Sequence, residues 1–268
     1  MDILQSFLLG LLQGLTEFLP ISSSGHLALG KYFLGESNEA GLTFEIVVHF
    51  GTLCSILIYY RALLMDITKA GFSFIAAPKK EMENPKVKMI GFVLLSMIPA
   101  FIVGFTLKDK VETIFDSPFL VSVMLVVTGF ILFLTKFAKE KEGRVTVGRS
   151  IVIGIAQAFA MIPGISRSGS TISTALYFGV SREEAANFSF LMVIPVIGGA
   201  MLLQVLDLME QGMDTVYIQG LLVGFLTAFV SGYYALKYLI VILKKKGFHY
   251  FAYYCWAVGG AGLIYFTF

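Results

Sequence analysis

Charge is scarce in this sequence. Of its 268 residues only 14% are Asp, Glu, Lys or Arg, against about 25% in an ordinary soluble domain, and the formal net charge is +2. Without a basic excess there is nothing to neutralise a phosphate backbone, so no nucleic-acid partner is expected. Cysteine is nearly absent. Cys54 and Cys255 both lie inside apolar stretches and read as small buried hydrophobes, which excludes a disulfide framework and a CxxC metal site. The first apolar stretch lacks a basic leading region and a small-residue cleavage site, and Gln13 and Glu17 interrupt it. It is therefore expected to belong to the fold rather than to a removable signal peptide. What the sequence has in excess is apolar residues: 57% before its 27 glycines are counted, about 67% with them, well above the soluble norm. These proportions predict an all-α polytopic membrane protein, with residues 1–268 forming one integral membrane domain.

A spanning helix needs about 20 mostly apolar residues. Six stretches meet that requirement, near 42–62, 87–107, 117–137, 185–206, 215–236 and 248–267. Two more, 3–34 and 148–180, are broken in the middle by Pro/Gly/Ser clusters, Leu19-Pro20-Ile21-Ser22-Ser23-Ser24-Gly25 and Ile162-Pro163-Gly164-Ile165-Ser166-Arg167-Ser168-Gly169. Irregular backbone at membrane depth survives only where protein or a watery cavity satisfies it, so both predict re-entrant helix-loop-helix hairpins. Basic residues then orient the chain. Interval 61–88 carries six (Arg61, Lys69, Lys79, Lys80, Lys86 and Lys88), 136–149 five and 237–246 four, against two in 108–116 and none in 207–214. With the first three intervals cytoplasmic, the two broken hairpins enter from opposite faces and meet near the middle.

An internal repeat supports the same arrangement. A shift of 144 residues pairs Gly10 with Gly154, Gln13 with Gln157, Ile21 with Ile165, Ser22 with Ser166, Ser24 with Ser168, Gly25 with Gly169, Gly35 with Gly179, Glu39 with Glu183 and Phe44 with Phe188. Three spans separate the copies, so the second is inverted relative to the first. Inverted repeats with interrupted helices place a polar site at their interface.

Ionisable groups at membrane depth are costly and mark function. Glu17, His26, Glu45, His49 and Arg167 are the candidates. Taken singly each has a structural explanation: a protonated carboxyl bonded between helices, a packing histidine, a serine bonded to the preceding turn. Their combination points to chemistry. Arg167 keeps its charge and its planar fork suits phosphate. Gly164, Ser166, Ser168, Gly169, Ser170 and Thr171 around it form an anion cradle at a helix start. No Gly-Lys-Ser/Thr follows, so it is not a nucleotide-hydrolysing loop. The first hairpin offers hydroxyl nucleophiles (Ser22, Ser23, Ser24), an acid/base (His26) and carboxylates to hold a divalent cation or orient the histidine. Glu17 follows Gln13 by four residues, on one helical face. Phosphoryl transfer from a lipid phosphate to water fits this set, because a soluble ester would not need a site buried in lipid.

The segment Gln13-Gly-Leu-Thr-Glu17-Phe-Leu-Pro-Ile-Ser-Ser-Ser-Gly-His26 resembles the (E/Q)xxxE motif and the Ser/His segment of undecaprenyl pyrophosphate phosphatase, the bacitracin-resistance family of bacteria. Pro163-Gly-Ile-Ser-Arg-Ser-Gly-Ser-Thr171 is similar to its PGxSRSxxT motif. The resemblance extends over essentially the whole chain, including Phe44-Glu45 and Ser181-Arg182. It implies hydrolysis of a C55 prenyl diphosphate to the monophosphate in the bacterial plasma membrane, at a site open to the outer face, with recycling of the cell-wall lipid carrier. It also implies a divalent cation, Mg²⁺ or Ca²⁺, and a homodimer. By the same resemblance, Glu17 takes the second acidic position and Gln13 the first, where many members have Glu, which puts two-carboxylate metal binding in doubt. Ser23 matches the proposed nucleophile, His26 the motif histidine and Arg167 the diphosphate-binding arginine, while Ser166, Ser168 and Thr171 complete the second motif. Glu45 is intermediate, and His49, which matches no motif, is read as packing. A transporter or flippase of lipid phosphates is the alternative, since it would use the same midplane site without a nucleophile.

The charge pattern makes the topology testable. Single cysteines introduced at Asn84 and Gly143 are expected to label only from the cytoplasm and one at Asp214 only from outside. Outside labelling at Gly143 would overturn the threading.

Overall fold

Helices form wherever the sequence runs apolar, and they stop at its Pro/Gly/Ser breaks. In the computed structural model, which describes residues 2–34, 38–106, 117–139, 142–211 and 215–268, they are α1 (Ile3–Phe18), α2 (Ser23–Leu34), α3 (Asn38–Tyr59), α4 (Arg61–Ala76), the single turn α5 (Pro78–Glu81) and α6 (Pro85–Thr106). There follow α7 (Pro118–Leu134), α8 (Val147–Phe159), α9 (Arg167–Tyr177), α10 (Arg182–Gln211), α11 (Thr215–Lys244) and α12 (Phe251–Thr267). Among the described residues the extended structure is one isolated parallel bridge, Gly143 to Val180. Intervals 108–116 and 212–214, with Asp214 and Gly35, lie outside the described residues.

Local chemistry sets the helix ends. At the start of α1, the Asp2 carboxylate accepts from the Gln5 N–H at 2.7 Å, and Gln5 Oε1 accepts from the Asp2 N–H at 2.6 Å, a reciprocal box that satisfies otherwise orphaned donors. Pro20 ends the helix, because the residue before a proline is pushed out of helical backbone; Leu19 is extended at φ −60°, ψ 140°. Both predicted breaks are present, α1-turn-α2 and α8-turn-α9, with helices of 16, 12, 13 and 11 residues. Each is too short to span alone.

Among the described residues three helices are long and apolar enough to cross a membrane: Pro85–Thr106, Pro118–Phe137 and Ile218–Lys244. A fourth crossing is available if α3 and α4, bent by 80° about Tyr60, count as one broken span. The sequence predicts six. The other two intervals are also helical, but α10 opens on Arg182, Glu183 and Glu184, and α12 has 17 residues. Surface chemistry agrees with a lipid environment. Phe72, Ile75, Phe130 and Phe137 point outward, Ile75 at 75% exposure, while Ser6, Gln13, Glu17, Ser55, Ser96 and Ser150 are buried. Water would penalise such a large outward apolar surface, whereas acyl chains do not.

Close packing in lipid relies on small residues that let backbones approach. α1 lies along α11, where Gly10 faces the Gly224 backbone, and α8 lies along α6, where Gly154 faces the Ser96 backbone. α3 packs on α11 and α10, and α7 on α12. The two turns touch each other: a Cβ on Gly25 would sit 3.0 Å from Gly164 Cα. Buried Thr128 of α7 pins the second turn, donating from Oγ1 to the Gly164 carbonyl at 2.8 Å and accepting from the Ser166 N–H at 3.1 Å. Gly164 has φ +90°, and any Cβ there would run into the Val121 carbonyl.

Gly164→Ala therefore combines left-handed strain with overpacking, each worth about 1–3 kcal/mol. Thermal unfolding in detergent is expected to show a lowered Tm; an unchanged Tm would mean that the turn relaxes freely.

Candidate active site

Two serine-capped helix starts face one another. At the first, Ser22 Oγ accepts from the Gly25 N–H at 3.2 Å and lies 3.2 Å from Ser24 Oγ. At the second, Ser166 Oγ accepts from the Gly169 N–H at 3.0 Å and lies 3.3 Å from Ser168 Oγ. These are the positions paired by the 144-residue shift. The turns are not identical: Ser22 itself has φ 69°, whereas the left-handed residue of the second turn is Gly164. A non-glycine residue held there is strained, which is a feature of functional turns.

Glu17 sits between the turns, 6% exposed. Its Oε2 accepts from Ser23 Oγ at 2.6 Å and from Gln13 Nε2 at 2.9 Å, while its Oε1 pairs with Arg167 Nη2. Arg167 is contributed by the start of α9, so this ion pair bridges the two hairpins. A guanidinium has five donors, and the remainder of Arg167 faces a cavity of about 780 Å³. Glu17, Ser22, Ser23, Ser24, Ser166 and Arg167 line it, as do Met97, Ala100, Phe101 and Phe105 of α6 and Pro195 and Val196 of α10. One wall is polar and anion-binding, and the other is apolar. Helix N-termini with backbone N–H groups complete an anion site.

Other expected residues lie elsewhere. His26 does not line the cavity. Its Nδ1 contacts the Ser22 carbonyl at 2.8 Å; a carbonyl only accepts, so Nδ1 carries a proton. Nε2 is 3.0 Å from Tyr254 Oη, and the rings stack at 5.6 Å. Thr171 Oγ1 donates to the Arg167 carbonyl at 2.8 Å and lies 2.6 Å from Ser189 Oγ, which steadies the start of α9. Gly164, Ser168 and Gly169 shape the second turn without lining the cavity. Glu45 is ion-paired with Lys31, a buried cation that sequence reasoning passed over.

His49 is the main correction. Sequence reasoning assigned it to packing, but it lines the cavity, with Nε2 3.6 Å from Glu17 Oε2 and Nδ1 donating to the Glu45 carbonyl at 2.7 Å. The only signal available was its presence among the few ionisable groups at membrane depth. Tyr254 and Thr128 had no signal, since their partners are far away in sequence.

The donor set does not make a resident divalent-metal site. Ca²⁺ takes about six to eight oxygen ligands, and Mg²⁺ keeps several waters and is held by one or two carboxylates together with substrate phosphates. Among the described residues no three His, Cys, Asp or Glu side chains come together. Glu17 is the one carboxylate at the cavity, and both of its oxygens are already engaged.

Comparison with known proteins gives the family of the chain. The chain is 42% identical over 264 residues to an undecaprenyl-diphosphatase of Salinibacter ruber, covering 97% of each chain. It is 42% identical over 268 residues to one of Bacteroides thetaiotaomicron, covering 98% of each, and 38% identical over 262 residues to one of Rubrobacter xylanophilus, covering 96% of each. The family model for bacitracin resistance protein BacA matches residues 6–261, and the chain belongs to that family.

Proposed function

We propose that this protein is a membrane phosphatase that hydrolyses undecaprenyl diphosphate to undecaprenyl phosphate and inorganic phosphate, recycling the lipid carrier of cell-wall synthesis and so conferring bacitracin resistance. The observation that carries the mechanism is the contact of Ser23 Oγ with Glu17 Oε2 at 2.6 Å, with Arg167 on the other carboxylate oxygen. Ser23 attacks the terminal phosphorus and Glu17 takes the hydroxyl proton. The bond between that phosphorus and the bridging oxygen breaks, and the prenyl monophosphate leaves. Glu17 passes its proton to the departing Ser23 oxygen as water attacks the phosphoserine, which returns Ser23 and the carboxylate. Inorganic phosphate leaves carrying the water oxygen, with its remaining proton going to solvent. Throughout, Arg167, the two helix starts and the hydroxyls of Ser22, Ser24 and Ser166 hold phosphoryl oxygens, where transition-state charge accumulates. Gln13 fixes the Glu17 carboxylate. His26 acts as a positioning residue through the Ser22 carbonyl rather than as an acid/base.

On this reading the six spans and the two re-entrant hairpins form an inverted repeat in the plasma membrane, with the cavity open to the outer face. The matched serine caps of the two turns support it, as do the matched contacts of Gly10 with α11 and Gly154 with α6. A homodimer is part of the same proposal.

Purified protein is expected to release phosphate from undecaprenyl diphosphate in detergent. Ser23→Ala, Glu17→Gln and Arg167→Lys are each expected to lower kcat/KM at least about a hundredfold, within the range for acid–base and arginine contributions to phosphoryl transfer. Lysine keeps the charge of arginine but not its fork. An active Arg167→Lys protein would count against bidentate gripping.

The Mg²⁺ or Ca²⁺ dependence is proposed to enter with the substrate, whose diphosphate oxygens supply the ligands the protein lacks. Chelation is expected to abolish phosphate release and added divalent ion to restore it, while calorimetry without diphosphate shows no tight Mg²⁺ binding. Full activity in chelator would remove the ion from the reaction.

A further inference from the structure

Gln157 is a buried polar group at the cavity that the mechanism above leaves without a task. It lies on α8, just before the second break, is 4% exposed, and lines the same cavity as Glu17, Ser23 and Arg167. Neither its Nε2 nor its Oε1 has a hydrogen-bond partner in the protein. Leaving a buried donor or acceptor open costs about 1–3 kcal/mol, and such a group in a native structure calls for a ligand or an ordered water.

The duplicated position shows why this amide is open. Gln13, 144 residues earlier, donates from Nε2 to Glu17, four residues further along its helix. The residue four after Gln157 is Met161, which offers no acceptor of comparable strength and also lines the cavity. Oε1 is without a protein partner in both glutamines; the hairpins differ at Nε2, which Gln13 gives to a carboxylate and Gln157 leaves facing the void. The surrounding wall is contributed by α6 and the end of the α8 segment: Met97, Ala100, Phe101, Ala160 and Met161. Among the described residues Gln157 is the polar group on that apolar wall.

We propose that Gln157 binds the substrate directly, with Nε2 donating to an oxygen of the phosphate that carries the prenyl chain. This rests on the lipid-diphosphate reading of the cavity. An amphiphile with its terminal phosphate on the Ser23–Arg167 wall and its chain along α6 brings its inner phosphate past the α8 wall. When the bridging P–O bond breaks, negative charge develops on the departing prenyl phosphate. A preorganised neutral donor stabilises that charge without holding the product as a fixed cation would.

The test compares wild type with Gln157→Met, Gln157→Leu and Gln157→Glu in detergent, measuring phosphate release from undecaprenyl diphosphate alongside Tm. Met and Leu are expected to lower kcat/KM about tenfold to a hundredfold, somewhat below the effect of losing an oxyanion-hole donor. Tm should stay at or above the wild-type value, because two open buried polar atoms are removed. Glu loses the donor and adds a like charge, so its KM is expected to rise as well. Activity of Gln157→Met within about threefold of an active wild type would overturn the inference, the amide then meeting only water. A fall in Tm for both Met and Leu in step with activity would also overturn it, since the amide would then be holding the fold. A wild-type protein that releases no phosphate from the lipid diphosphate would overturn the phosphatase reading and this inference with it.

Discussion

The Glu17–Arg167 ion pair joins the end of α1 to the start of α9, 150 residues apart in sequence, and most of the arrangement follows from the need to satisfy it. An unpaired charge at this depth would cost several kcal/mol. The carboxylate and the guanidinium must therefore be brought together, and that requires both hairpins to turn back within the protein and meet. Contact between Gly25 and Gly164 allows the approach, and Thr128 satisfies the turn backbone that no helix can. The same constraint surrounds the Glu17 carboxylate with donors, from Ser23, Gln13 and Arg167.

Large apolar groups face outward as well as filling the core, with polar groups such as Gln13 and Glu17 buried among them, and the cavity repeats the contrast on a smaller scale. Its Glu17/Ser23/Arg167 wall suits a diphosphate and its Met97/Phe101 wall suits a hydrocarbon chain. A substrate with both parts matches such a cavity better than a soluble phosphate ester, which would leave the α6 wall without a partner. Location in a membrane and substrate class are in this sense one physical argument.

The duplication contributes scaffold symmetrically and chemistry asymmetrically. Positions that bond backbone, Ser22 with Ser166 and Gly25 with Gly169, are the same in both hairpins. Two pairs of cavity-lining positions differ: Ser23 corresponds to Arg167 and Glu17 to Met161. One half thus supplies hydroxyl and carboxylate, the other the cation and a free amide. Two copies of either half would place like groups opposite one another, with charges repelling across a low-dielectric gap.

The sequence by itself determined the helical class, the two breaks and the pairing of a serine-rich turn with an arginine-bearing one, because composition and Pro/Gly/Ser punctuation act locally. It also made Glu17, Ser23 and Arg167 legible, since charge and hydroxyls are conspicuous in an apolar chain. The tertiary structure alone decided which ionisable groups share the cavity. His49 and Gln157 face it while His26 turns toward Tyr254 and Glu45 toward Lys31. Those assignments depend on which face of each helix is rotated toward its neighbours. That rotation is set by packing between segments far apart in sequence, through contacts such as Gly10 on Gly224 and Gly154 on Ser96, for which local patterning carries no signal.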